Sequence, residues 1–178
     1  MQNGNIIEGL KKVKQHLLTG ASHAIPFVAC GGIMIAFAIA FAPMTPTGPD
    51  FSNTPTLKLI MDIGGAAFKL LLPILAGYIA YAIANRPGLV AGFIGGYLAH
   101  EVNAGFLGAL VAGLLAGYTV NLIKKIPIPK YLKPIMPILI IPILSSLVIG
   151  ILMLKVLGIP IANLMIFLGE WLKTMGTG

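Results

Sequence analysis

The sequence predicts an all-α fold: a polytopic bundle of transmembrane helices, with about five spans and amphipathic helices lying at the membrane interface. Three observations predict it. Hydrophobic residues make up 57% of the 178 and charged residues only 10%, against roughly 45–50% and about 25% in a soluble domain. The apolar residues fall in long runs rich in Ala, Leu, Ile and Gly, and the mean hydropathy is +0.95. The runs lack the strict in/out alternation over segments of ~10 residues that marks a membrane barrel. Too little polar surface remains to cover a globule in water. In lipid every backbone polar group must be bonded internally, so the spanning segments are helices.

The elements follow in order. Residues 1–20 read as a cytoplasmic amphipathic helix: Ile6, Leu10, Val13 and Leu17 share one face, and Glu8, Lys11, Lys12 and Gln15 fall largely opposite, a pattern suited to the interface. Residues 21–157 form the spanning bundle. The first span runs over 22–42, with His23 near its start and Pro26 in its first turn, where proline costs least. The proline-rich stretch 43–55 is an external loop. A second span lies within 59–84; Asp62 and Lys69 weaken its first half, and Pro73 is an expected bend. Asn85-Arg86-Pro87-Gly88 stops it, because proline lacks the amide and its ring clashes with the preceding turn. The third, Leu89–Ala99, is short for a crossing; it either uses 88–103 with a polar end at the interface or is re-entrant. The fourth covers 104–123. After the basic, proline-punctuated loop 124–134 comes the fifth, 135–154, with Pro137 and Pro142 inside. Residues 158–178 read as an amphipathic linker helix, with Ile161, Leu164, Met165, Leu168 and Leu172 on one face.

Charge sets an orientation. With the N-terminus in the cytoplasm, Lys11, Lys12, Lys14, Arg86, Lys124, Lys125, Lys130 and Lys133 all fall inside, and only Lys58, Lys155 and Lys173 fall outside; short loops rich in Lys and Arg stay cytoplasmic. The net charge of +7 is thus a topology signal, since both main clusters flank apolar runs. Nucleic-acid binding, which needs a basic face interleaved with aromatics, is not expected. Cys30 stands alone in an apolar run, so no disulfide forms within one chain. No nucleotide-binding loop is present, no metal is expected from the scattered His16, His23 and His100, and no catalytic residue or cofactor is assigned.

Polar residues at membrane depth are the default functional candidates. His100, Glu101 and Asn103, between two spans, are the substrate-binding candidates; an external interfacial position is the plainer reading for them. Arg86, Lys124 and Lys125 are candidate cytoplasmic anchors or partner contacts. Gly92-x-x-x-Gly96 and Gly113-x-x-x-Gly117 have the small-residue spacing that lets helices approach closely.

Several stretches together resemble the fructose-type enzyme IIC membrane component of the phosphotransferase system (PTS). They are Ala21-Ser22-His23-Ala24-Ile25-Pro26-Phe27-Val28 followed by Gly31-Gly32, and Pro73-Ile74-Leu75-Ala76-Gly77-Tyr78 running on to Asn85-Arg86-Pro87-Gly88. Gly105-Phe106-Leu107-Gly108 with Ala112-Gly113-Leu114-Leu115-Ala116-Gly117-Tyr118 is the third. Pro137-Ile138-Leu139-Ile140-Ile141-Pro142 with Ser145-Ser146 completes them. The resemblance implies a multi-pass protein of the bacterial inner membrane, the N-terminal scaffold and dimerisation half of a sugar permease. It further implies a homodimer, a sugar substrate, a IIB domain that supplies the phosphoryl group, and a C-terminal IIC half that carries most of the sugar site. That half's glycine-rich segment is absent here, so no family sugar contact is carried over. The alternative is a small polytopic interaction or assembly subunit without transport. A homo-oligomeric channel would need a polar stripe along a span, and none is seen.

Overall fold

The structure is a computed structural model that describes residues 2–46, 48–127 and 133–176, with side chains from Ile6 onward. Its order is α1 (Gln2–Phe41), a two-residue antiparallel pair β1 (Met44–Thr45) and β2 (Gly48–Pro49), α2 (Pro55–Ala84), α3 (Arg86–Glu101), α4 (Gly105–Ile123), α5 (Ile141–Ile151) and α6 (Gly158–Gly176). Five residues of π-helix, Met136–Ile140, lead into α5, and six more, Leu152–Leu157, join α5 to α6. Ile6–Phe41, Pro55–Ala84, Gly105–Ile123 and Met136–Gly176 are each long and apolar enough to cross a membrane. The 16 residues of α3 rise about 24 Å, short of a ~30 Å hydrocarbon core. Exposed Ile33 and Ile138, 71% and 78% accessible, are the expected consequence of a lipid surrounding.

Three helices run further than the expected boundaries. The basic amphipathic segment and the first span are one helix, so Pro26 sits in the interior of α1 rather than in a first turn. Pro73, Asp62 and Lys69 all lie within an unbroken α2. The amphipathic C-terminal segment continues from α5 through the π turn. In each case hydropathy marks a change of medium along the chain, whereas a helix ends only where its backbone bonding is interrupted. Lys130 of the basic loop lies outside the described residues.

The chain divides into two compact units: residues 22–71, and residues 1–21 with 72–178. In the first, α1 and α2 meet backbone to backbone: a Cβ at Gly31 would stand 2.9 Å from the Gly64 carbonyl, and one at Gly64 2.9 Å from that of Gly31. The link between the two helices is held by Met44 and Thr45 paired with Pro49 and Gly48, by the Thr45 hydroxyl donating to the Gly48 carbonyl at 2.7 Å, and by the Asp50 amide donating to the Pro43 carbonyl at 2.8 Å. Gly48 takes φ +124°, a conformation open to glycine.

The larger unit is built on small residues. Gly88 faces Ala80 and Ala84, Gly92 faces Ala76 and Ala80, and Gly96 faces Leu72 and Ala76. As the number rises along α3 it falls along α2, so the two helices run antiparallel in near-backbone contact. Gly113 of α4 meets Ala76 and Ile79, and Gly117 meets Ile83. Ala76 is the hub against which Gly92, Gly96 and Gly113 all close. Gly95 and Ala112 bring Ile149 of α5 into the same packing. Ala91, Ala99, Ala109, Ala112 and Ala116 are fully buried. Lipid tails are as apolar as leucine, so close van der Waals approach of small residues holds membrane helices together instead.

Candidate functional site

The polar end of the larger unit is built where α2 stops. A single residue, Asn85, separates α2 from α3, and it takes φ 58°, ψ −154°, a region otherwise kept by glycine and costing on the order of 1–3 kcal/mol. Pro87 then opens α3, where the missing amide is no loss. The last carbonyls of α2 have no partner in their own helix, and side chains of α4 supply it. The Asn121 carboxamide donates to the Ile83 carbonyl at 3.1 Å, and the Lys124 ammonium donates to the Ala84 carbonyl at 2.6 Å. A cation at a helix C-terminus also favours the helix dipole.

Two concavities open at this end. One, of about 340 Å³, is lined by Gln15, His16, Thr19, Tyr81, Ala82 and Asn85. The other, of about 520 Å³, is lined by Tyr118, Asn121, Leu122, Lys124 and Lys125. Arg86, Lys124 and Lys125 are exposed, and no carboxylate lines either concavity. The end is therefore uncompensated positive charge, able to receive an anion.

His100 and Glu101 end α3, Asn103 lies in the turn to α4, and all three are exposed. The turn is made by Asn103 and Gly105, with φ 56° and 57°, and closed by amide bonds of Asn103 to the His100 carbonyl and Ala104 to the Ala99 carbonyl, 3.0 and 2.9 Å. Asp62 and Lys69 are exposed on α2. Between the two ends of the larger unit the interior is apolar. Among the described residues Ser145 is the only polar one in the buried set, and its hydroxyl donates to the Ile141 carbonyl of its own helix at 2.6 Å.

The predicted Arg86, Lys124 and Lys125 thus sit where α2, α3 and α4 reach their ends, and His100, Glu101 and Asn103 lie at a different turn. Gly92, Gly96, Gly113 and Gly117 pack within their own chain. Asn121, Tyr118 and Asn85 are not among the site candidates named from sequence, and the Gly31–Gly64 contact is not among the packing ones. Asn121 had a signal: it lies three residues before Lys124, one helical turn away on the same face.

The fold is that of a multi-pass helical membrane protein with a small-residue core. The family model described as "Phosphotransferase system, EIIC" matches residues 19–178, and the chain belongs to that family. It is 42% identical over 173 residues to the fructose-like permease IIC component 2 of Escherichia coli (strain K12), covering 97% of this chain and 48% of that protein. It is 43% identical to the PTS system fructose-specific EIIABC component of Bacillus subtilis (strain 168), over 92% of this chain and 26% of that one. To the PTS system fructose-specific EIIC component of Haloferax volcanii it is 40% identical, over 95% and 50%. The chain therefore spans half or less of the length of these relatives. No solved structure matches.

Proposed function

We propose that this chain is the N-terminal scaffold and dimerisation half of a fructose-type PTS permease, working beside a sugar-binding half and a IIB partner that phosphorylates the sugar as it enters. The observation that carries the reading is the match to the EIIC family along residues 19–178, with relatives named for fructose at 40–43% identity. The packing supports the scaffold role. A sugar path needs polar groups facing a hydrated cavity, whereas the interior of the larger unit is filled by alanine, glycine and aliphatic side chains. In this reading the N-terminus is cytoplasmic by the distribution of Lys and Arg, the basic first turns of α1 meet the cytoplasmic interface, the exposed lipid-facing helices carry the homodimer contact, and the His100–Asn103 turn is external.

The test is uptake of labelled fructose, with phosphoenolpyruvate-dependent phosphorylation, in cells lacking their own fructose permease. The chain alone is expected to give background uptake, and co-expression with the second half of a family permease and its IIB domain is expected to restore it. Uptake by the chain alone would overturn the scaffold assignment. Failure of every co-expressed half, with both proteins in the membrane, would favour the non-transporting assembly subunit.

A further inference from the structure

We propose that the cleft at the C-terminal end of α4 is a binding site for the headgroup of an anionic phospholipid. The inference rests on α4 crossing the bilayer, for which it is long and apolar enough, and not on the transport reading.

The depth is right. The 19 residues of α4 rise about 28 Å, close to one hydrocarbon thickness. Lys124 and Lys125 follow directly, at the level of lipid phosphates. The shape is right as well: the cleft of about 520 Å³ has Tyr118 and Leu122, one helical turn apart and 44% and 64% exposed, below its two lysines. An acyl chain fits along the first pair and a phosphodiester between the second.

The polar groups are set in advance. Lys124 spends one N–H on the Ala84 carbonyl, which fixes the ammonium at the cleft and leaves two N–H groups for a ligand. Asn121 is held through its amide nitrogen by the Ile83 carbonyl, so its carbonyl oxygen is left to accept from a headgroup hydroxyl. Among the described residues no carboxylate pairs with either lysine. The combination matches a phosphatidylglycerol: one negative phosphodiester, hydroxyl donors and two apolar tails. Basic pockets beside membrane helices take anionic headgroups in this way. An acidic protein surface would satisfy the lysines but has no use for the exposed Tyr118–Leu122 stripe.

The full chain in lipid nanodiscs or detergent is titrated with short-chain phosphatidylglycerol and phosphatidylcholine, read by native mass spectrometry. Phosphatidylglycerol is expected to bind at least tenfold more tightly, and the preference is expected to shrink with salt. Lys124→Gln with Lys125→Gln is expected to remove about thirtyfold, the worth of two lysines near an anionic surface. Among the described residues the Lys125 side chain makes no bond, so Lys125→Gln alone, expected to lose about fivefold, leaves the α2 cap intact and separates lipid binding from folding. Lys155→Gln with Lys173→Gln removes equal charge elsewhere and is expected to leave the preference unchanged. Equal affinity for the two lipids overturns the site, as does an equal loss in the Lys155/Lys173 variant. Displacement by millimolar inorganic phosphate makes it a free-phosphate site and overturns the lipid reading. So does capture of a polyglutamate peptide at this cleft in place of the lipid.

Discussion

A methyl group added at Gly113 tests whether close helix approach holds the larger unit together. The Cβ of Gly113→Ala would stand 2.7 Å from the Ala76 carbonyl oxygen, 2.9 Å from the Ala76 Cα and 2.9 Å from the Ile79 Cβ. Ordinary contact lies near 3.5–4.0 Å, so the overlap is roughly 0.7 Å. None of the three atoms is the tip of a flexible side chain, so relief requires α4 to move away from α2. Overpacking of this kind costs about 1–3 kcal/mol, and the rigidity of the obstacle puts Gly113 near the top of that range. The alanine returns about 0.5–1 kcal/mol of helix propensity. The net loss is about 2 kcal/mol. Gly65 is the control, because a Cβ there meets nothing within 4 Å; Gly65→Ala keeps only the propensity gain and is expected to stabilise by about 0.5–1 kcal/mol. The assay is reversible unfolding by increasing SDS in mixed micelles, followed by helical circular dichroism. If the Gly113 and Gly65 variants unfold at the same SDS fraction, the small-residue account of the core is wrong.

Three further outcomes follow from local geometry. Asn85→Gly relieves a backbone conformation open to glycine, and in the same unfolding assay it is expected to stabilise by about 1 kcal/mol, whereas Asn85→Ala is expected to destabilise. Ser145→Ala loses the bond to the Ile141 carbonyl and is expected to cost about 1 kcal/mol; Ser146→Ala removes a buried hydroxyl that has no partner among the described residues and is expected to be neutral or stabilising. The Asp50 carboxylate accepts the hydroxyl and then the amide of Ser52, and these bonds hold its pKa below the ordinary 3.8. Since the folded value is the lower one, this contribution to loop order is present above the unfolded value and is lost as pH falls through the folded one. A carboxyl carbon NMR titration is expected to show a low midpoint for Asp50 that moves upward in Ser52→Ala.

The fold class was legible because it depends on bulk quantities: charge content, run length and the backbone's need for partners in lipid. The breaks at Asn85 and Asn103 were also legible, since polar residues, proline and glycine cluster there. What composition cannot carry is continuity. Lys11, Lys12 and Lys14 suggest a separate interfacial helix, but nothing in 1–42 removes enough backbone bonds to end one, so α1 runs through. The brief β1–β2 pairing was missed because two-residue strands leave no alternation to read. At the candidate site the lysines could be picked out by charge, whereas Asn121 and Tyr118 acquire meaning only from where α4 ends relative to α2. The spaced glycines of α3 and α4 were visible as a pattern; that Ala76 is the surface they share was not, because alanine is common in every span.

The π-helical turn at Leu152–Leu157 gives α6 a separate degree of control. A wider turn accommodates surplus residue without unwinding, and each residue added to or taken from a helix swings everything beyond it by about 100°. Shortening this one stretch would therefore re-aim Trp171, Phe167 and the rest of the exposed face of α6 around its axis while Ser145, Ile149 and the packing of α5 stayed in register. The chain thus carries a point at which evolution, or a designer, can change which neighbour the last helix addresses, with the buried Met153 and the Gly158–Val102 contact the packing that must be rebuilt.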